Sequence, residues 1–245
     1  SIPEPTPAPP PRRQLRFGVG KTPGVTPADT VAEAGRKVLR FHFARLLAAE
    51  DGTRSGRDPE DVHRMRVATR RLRAAWRVFG EAYLPERTRR FPRELRALAR
   101  RLGAVRDLDV LIAGLETYRV NLPADETPGL DPLLETWQRR RDAARADLIN
   151  ELDSDAYRRF AAAFEVFVTS EGAAVRPVRA TEPHHVRDTA PSRIWRAYEQ
   201  VRAYEGVLPW ADVPTLHELR IAAKWLRYAM EFVREALEPE AGPLV

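Results

Sequence analysis

The residues best suited to chemistry are a histidine and four arginines that recur every three or four positions: His63, Arg66, Arg70, Arg73 and Arg77. On an α-helix this spacing places all five side chains in one file along the helix. Cations in a file repel one another unless an anion neutralises them. Because guanidinium groups bind phosphate oxygens in bidentate geometry, the file predicts a binding site for a phosphate-containing anion.

A second basic file follows at helical spacing: Arg89, Arg93, Arg96 and Arg100. Arg106 lies just beyond it, in the stretch Arg-Asp-Leu-Asp-Val. The link at 83–86 is short and favours antiparallel packing of the two helices. We therefore expect the two files to border one groove.

The positive charge of the chain is concentrated in this region. Between Val62 and Arg106 there are fourteen arginines against three acidic residues, a net +11, whereas the whole chain carries +6 and the remainder therefore −5. This asymmetry indicates a local anion site rather than a generally basic protein. A GC-rich genome can explain the preference for arginine over lysine, but it does not explain why the arginines align.

The elements that position these files are predicted to be α-helices. Hydrophobic periodicity indicates helices at about 29–49, 60–82, 87–118, 129–169, 190–206 and 213–236, without a strand pattern. Residues 1–28 are rich in proline and glycine and are predicted to be a linker or tail. The segment 171–191 reads as an exposed connection between two halves, about 29–170 and about 190–245. No window is apolar enough for a membrane span, and the chain has no cysteine, so a cytoplasmic protein without disulfides is expected.

Each arginine helix also has an apolar stripe that is predicted to be buried. The first stripe is Val62, Met65, Thr69, Leu72, Trp76 and Phe79. The second is Phe91, Leu95, Leu98, Leu102 and Val105.

The first arginine helix is repeated 154 residues later. VHRMRVATRRLRAAWRVF at 62–79 aligns with LHELRIAAKWLRYAMEFV at 216–233, so that the file recurs as His217, Arg220, Lys224 and Arg227. The apolar stripe recurs as well, as Leu216, Leu219, Ala223, Leu226, Met230 and Val233. The repeat favours two helical bundles related by pseudo-twofold symmetry, with both basic files facing a shared cleft or pore.

These segments, together with LRALARRLGAVRDLDVL at 95–111, resemble the CHAD family, the "conserved histidine α-helical domain". The resemblance covers nearly everything from about residue 29 onward. It implies an all-α fold of two pseudo-symmetric bundles around a basic channel that binds inorganic polyphosphate. By position, the predicted polyphosphate-binding residues are His63, Arg66, Arg70, Arg73, Arg77, Arg96, Arg100, Arg106, His217, Arg220, Lys224, Arg227 and Tyr228.

Two departures from the family pattern affect this interpretation. Glu231 stands where the first repeat has Arg77, so the two files differ at that end. A counterpart of 87–118 is absent from the second half, which we expect to be truncated. Because the family often lies downstream of a triphosphate-hydrolase-like domain, association with such a domain or with a polyphosphate-metabolising enzyme, and a location at polyphosphate granules, are also expected.

Two other functions were weighed against polyphosphate binding. A helical protein with a pI near 10.0 could bind nucleic acid, but Trp76, Phe79 and Phe91 lie on the apolar stripes, away from the arginines where they would stack on bases. Phosphoryl transfer through histidine would need acidic Mg²⁺ ligands. The nearest are Asp107 and Asp109, and Asp107 is expected to pair with an arginine. We therefore predict binding without catalysis, cofactor or metal.

Overall fold

Helices make up most of residues 17–18, 20–123 and 126–237, the part of the chain that the computed structural model describes. In these ranges the α-helices are α1 (Val31–Ala48), α2 (Glu50–Ser55), α3 (Pro59–Phe79), α4 (Pro85–Thr88), α5 (Arg90–Val120), α6 (Asp131–Asp153), α7 (Asp155–Thr169), α8 (Val186–Arg202), α9 (Val213–Glu231) and α10 (Arg234–Leu237). Short 3-10 helices lie at 80–82, 127–130 and 208–210. Extended pairing in the same ranges is confined to two isolated bridges. The predicted all-α class is confirmed.

Helix α3, which carries the first basic file, lies between α1 and α5. Its start is fixed by Asp58, whose side chain accepts a hydrogen bond from the Glu60 backbone N–H at 2.9 Å, and by Pro59 at the first helical position. The predicted stripe of α3 is buried except for Trp76, which is half-buried, and the predicted stripe of α5 is buried throughout. Both stripe predictions are confirmed, and the basic files consequently face away from the core.

An aromatic cluster locks α3, α5 and α7 together. Trp76 stacks on Tyr83 with a centroid separation of 5.8 Å and meets Phe91 edge-on at 6.0 Å. Phe167 of α7 lies 5.1 Å from the Phe91 ring. The Tyr83 hydroxyl donates to the Ala32 carbonyl oxygen at 2.6 Å, which ties this cluster to the start of α1.

Helices α8 and α9 pack mainly against each other and make fewer contacts with α1 and α3. The prediction that the apolar stripe of α9 is buried is therefore wrong for most of its length. Leu216 is 45% exposed, Ala223 is exposed, and Leu219, Leu226 and Met230 are half-buried. The stripe lacks cover in the described part of the chain because α9 has no long neighbour comparable to α5.

Several predicted boundaries also shift. The helix expected at 129–169 is two helices, because Ser154 leaves the helical conformation and caps α7 by accepting from the Tyr157 N–H at 3.0 Å. The helix expected from 190 begins at Val186 and contains Pro191 in its interior. Its start is held early because the Val186 N–H donates to the Asp29 carbonyl oxygen at 2.8 Å.

The packed structure begins before residue 29, where the sequence placed the end of the linker. Val25 is buried in the core, and the backbone N–H groups of Gly24 and Val25 donate to the Glu235 carboxylate at 2.8 and 3.0 Å. Residues 1–16 and 19 of the predicted linker lie outside the described residues. Among the described helices, none is both long and apolar enough to cross a membrane.

Candidate functional site

A pocket of about 340 Å³ lies between α3, α5 and α9. Five of its lining residues are cations from all three helices: Arg70, Arg73 and Arg77 of α3, Arg96 of α5 and Lys224 of α9. The remaining lining residues are Ala74, Trp76, Pro92, Trp225 and Tyr228. No carboxylate is among these ten residues, which we call the basic pocket.

The cations of the basic pocket act on one another. Burial, together with the nearby charges of Arg220, Arg77, Arg70 and Arg73, lowers the pKa of Lys224. Four like charges around one ammonium group disfavour its charged form, and an anion in the pocket would relieve that repulsion. The arrangement can therefore bind a multiply charged anion through charge-assisted hydrogen bonds.

The structure brings six of the predicted residues to this pocket: Arg70, Arg73, Arg77, Arg96, Lys224 and Tyr228. The groove predicted between the two basic files thus exists, although Arg96 is the one member of the second file that lines it. Arg96 reaches the pocket with its Nε donating to the Pro92 carbonyl oxygen at 3.1 Å, one turn earlier.

Trp225 lines the basic pocket and was not predicted. Its ring carries the Arg77 guanidinium at 4.0 Å from the ring centroid and the Lys224 ammonium at 5.0 Å, so it holds two of the cations by cation–π contact. Its indole Nε1 is buried without a hydrogen-bond partner in the described chain. The signal was present in the repeat, where Trp225 aligns with Arg71 and is thus a change from cation to aromatic residue.

Glu231, the residue that interrupts the second file, has a structural role. Its carboxylate binds the Arg71 guanidinium and thereby joins the end of α9 to α3. It also lies 3.6 Å from Arg227, a predicted binding residue that projects outside the basic pocket. The departure from the repeat therefore gives α9 an attachment that a second arginine could not supply.

Arg66 and Arg106 are not brought to the basic pocket. Arg66 lies 3.9 Å from Asp107, and Arg106 lies 3.2 Å from Glu60. The predicted pairing of Asp107 with an arginine is confirmed. Their charges are consequently balanced within the protein, although both side chains remain accessible enough to exchange partners.

His63 does not share a pocket with the arginines of its file. Its imidazole lines a separate cavity with His42 and Arg45 of α1, whereas the basic pocket is lined by side chains of α3, α5 and α9. The single continuous file predicted from spacing is therefore divided between two environments. His217 and Arg220 at the start of α9, and Arg100 on α5, are exposed and lie outside both cavities.

Comparison with known proteins identifies the family of this all-helical chain. The family model of the CHAD domain matches residues 37–245. The chain therefore belongs to the CHAD family, and the resemblance seen in the sequence is confirmed.

Solved structures show the same fold. The CHAD domain from the plant Ricinus communis aligns with a TM-score of 0.67 at 24% identity, over 86% of this chain and 68% of that one. PptA from Streptomyces chartreusis aligns with a TM-score of 0.59 at 19% identity, over 84% of this chain and 76% of that one. No curated protein matches the sequence. The pseudo-twofold relation between two bundles stays a prediction.

Proposed function

We propose that this protein binds inorganic polyphosphate in the basic pocket and does so without catalysis. The observation that carries the proposal is the convergence of five cations from three helices on one pocket whose lining has no carboxylate. Polyphosphate binding is the general property of the CHAD family. A linear polyanion would neutralise the repulsion around Lys224 and place successive phosphoryl groups against successive turns of α3.

The aromatic residues of the pocket favour an inorganic polymer over nucleic acid. Base stacking requires an open aromatic face. The Trp225 ring already holds Arg77 and Lys224, and Tyr228 is 2% exposed and stacked on Phe232 at 5.6 Å. These rings hold cations and pack the end of α9, and they leave no open platform for a base. The proposal also includes a cytoplasmic location at polyphosphate granules. The partners expected from the sequence are a triphosphate-hydrolase-like domain or a polyphosphate-metabolising enzyme.

Calorimetric titration of the full chain with long-chain polyphosphate tests the proposal. We expect tight binding that weakens steeply with salt, with a slope of log K against log salt of roughly −4.5 for about five neutralised phosphates, by analogy with duplex DNA. Arg70→Glu and Arg73→Glu should each weaken binding at least about tenfold, because each replaces a charge-assisted hydrogen bond by a repulsion.

The matched controls are Arg139→Glu on α6 and Arg202→Glu on α8, two exposed arginines outside the basic pocket. They make the same charge change at the surface. Equal losses for all four variants would reduce the protein to a general polyanion binder, and equal affinity for a DNA oligomer at the same charge concentration would favour the nucleic-acid alternative. Release of orthophosphate from the titrated polymer would contradict binding without catalysis.

A further inference from the structure

A second cavity, larger than the basic pocket, lies between α1 and the N-terminal half of α3 and is closed by the end of α9. Its volume is about 830 Å³, within the range that holds drug-sized molecules. Apolar side chains form much of its wall, among them Phe41, Val67 and Phe232. We call it the α1–α3 cavity. No residue of the basic pocket lines it.

The cations of the α1–α3 cavity differ in whether the protein already balances them. Arg64 binds the Asp61 carboxylate, and Arg71 binds the Glu231 carboxylate. Arg45 has no such partner among the described residues: its guanidinium carbon lies 3.6 Å from the centroid of the Phe41 ring. Partial burial lowers the pKa of Arg45, although the residue as a whole is exposed, so its guanidinium is accessible to a ligand.

Two imidazoles complete the polar lining. The rings of His42 and His63 both face this cavity, and the buried Nδ1 of each lacks a hydrogen-bond partner in the described part of the chain. His42 is neutral at physiological pH, because burial and the charges of Arg71 and Arg45 lower its pKa to about 3. The cavity thus offers one unbalanced cation and two imidazoles on an otherwise apolar wall.

We propose that the α1–α3 cavity binds a small amphipathic monoanion, such as a carboxylic acid with an apolar body, whose head group pairs with Arg45. Charge complementarity selects one negative charge, since Arg45 alone is unbalanced. The apolar wall selects a hydrophobic body, which a phosphate polymer lacks. This site does not depend on the proposed polyphosphate function, and the two are separated by α3.

Titration of the full chain with sodium decanoate, followed by calorimetry, tests the proposal. We expect saturable binding at one site, with 1-decanol and acetate each binding at least about tenfold more weakly, because each lacks one of the two recognised features. Arg45→Gln should weaken decanoate binding by about tenfold for the same reason. Arg40→Gln, on the same helix but outside the cavity lining, is the matched control and should leave the affinity unchanged.

A second variant tests the location of the ligand. Ala48 lies exposed at the end of α1 on the cavity wall, so Ala48→Phe narrows the cavity without disturbing the core and should weaken decanoate binding. Polyphosphate affinity should be unchanged in both Arg45→Gln and Ala48→Phe. The proposal is overturned if decanoate does not bind, if Arg45→Gln and Ala48→Phe bind it as the unchanged protein does, or if polyphosphate displaces it and Arg70→Glu abolishes its binding.

Discussion

Helices α3 and α9 carry the same sequence pattern but lie in different surroundings. On α3 the apolar stripe is covered by α1 and α5, and Met65 and Leu72 are fully buried. On α9 the matching stripe begins with Leu216, 45% exposed, and its first buried member is Val233, just beyond the end of the helix. The cations on the neighbouring face nevertheless meet in one pocket, with Arg70 on α3 and its counterpart Lys224 on α9.

The repeated sequence pattern therefore predicts where the cations lie on each helix more reliably than it predicts how deeply the apolar stripe is buried. The register of cations along a helix follows from residue spacing alone, so Lys224 takes the position that the repeat assigns to it. Burial depends on which neighbours the rest of the chain provides. One wall of the basic pocket is therefore a core helix. The other is α9, which packs mainly on α8 and reaches α3 through contacts that include the pair of Arg71 with Glu231.

The largest difference should appear when the two stripes are shortened at matching positions. Leu72→Ala on α3 removes a fully buried side chain and should lower the free energy of unfolding by about 2–5 kcal/mol. Leu226→Ala, at the equivalent position of half-buried α9, should cost about 1 kcal/mol or less. Chemical denaturation of both variants measures the difference. Similar losses would mean that α9 is covered in solution as well as α3 is.

Features that depend on one helix alone were predictable from the sequence, whereas burial that depends on the packing of a neighbouring helix was not. The stripes of α3 and α5 were predicted because periodicity shows which face is apolar. The same periodicity on α9 gave a wrong prediction, since a pattern does not reveal whether anything covers the face. Pro191 likewise lies inside a helix because contacts with residues near Asp29 hold the chain there.

The sequence predicted that the candidate site is basic, but it did not predict which of the basic residues lie in the pocket and which pair with carboxylates elsewhere. The convergence of Arg70 and Lys224 followed from the repeat, whereas the ion pairs of Arg66 with Asp107 and of Arg106 with Glu60 join residues of different helices. Such pairs depend on how α3 and α5 dock. The separation of His63 from the arginines also depends on docking, because α1 supplies the opposite wall of the cavity that His63 lines.

His42 on α1 and His217 on α9 differ in burial, and their pH dependence should differ accordingly. His42, on α1 against the core side of α3, has its pKa lowered to about 3, so below about pH 6.5 the unfolded chain takes up a proton that the folded chain does not. The free energy of unfolding therefore decreases as the pH falls below about 6.5, and the neutral His42 accounts for about 2 kcal/mol of the decrease at pH 5. Denaturation at pH 7 and pH 5 should show that His42→Phe removes this part of the loss.

The control for this prediction is His217→Phe at the exposed start of α9. It makes the same substitution at an exposed position outside the core, and the difference between pH 7 and pH 5 should be unchanged. An unchanged pH dependence in His42→Phe would instead show that folding does not lower the pKa of His42.

The two basic files should also differ in their response to alkaline pH. Arginine stays charged throughout the accessible range, but the pKa of Lys224 is lowered by burial and by its cationic neighbours. Polyphosphate affinity should therefore fall as the pH rises towards the ordinary lysine pKa, by up to roughly tenfold for the loss of one charge. Lys224→Arg should bind as tightly at pH 7 and lose this pH dependence. A decline that persists in Lys224→Arg would assign it to another group.

The smallest expected effect concerns the attachment of α9 to α3. Arg71 and Glu231 form a partly buried ion pair, with side chains 27% and 23% exposed. Their coupling in a double-mutant cycle of Arg71→Ala and Glu231→Ala should be about 0.5–1 kcal/mol, since solvent still screens the pair.

Polyphosphate affinity should also fall modestly in Arg71→Ala, although Arg71 lies outside the basic pocket. The reason is that a less firmly held α9 positions Lys224 and Trp225 less accurately. Full affinity in a variant that has lost the coupling would show that α9 is positioned by its packing on α8 alone.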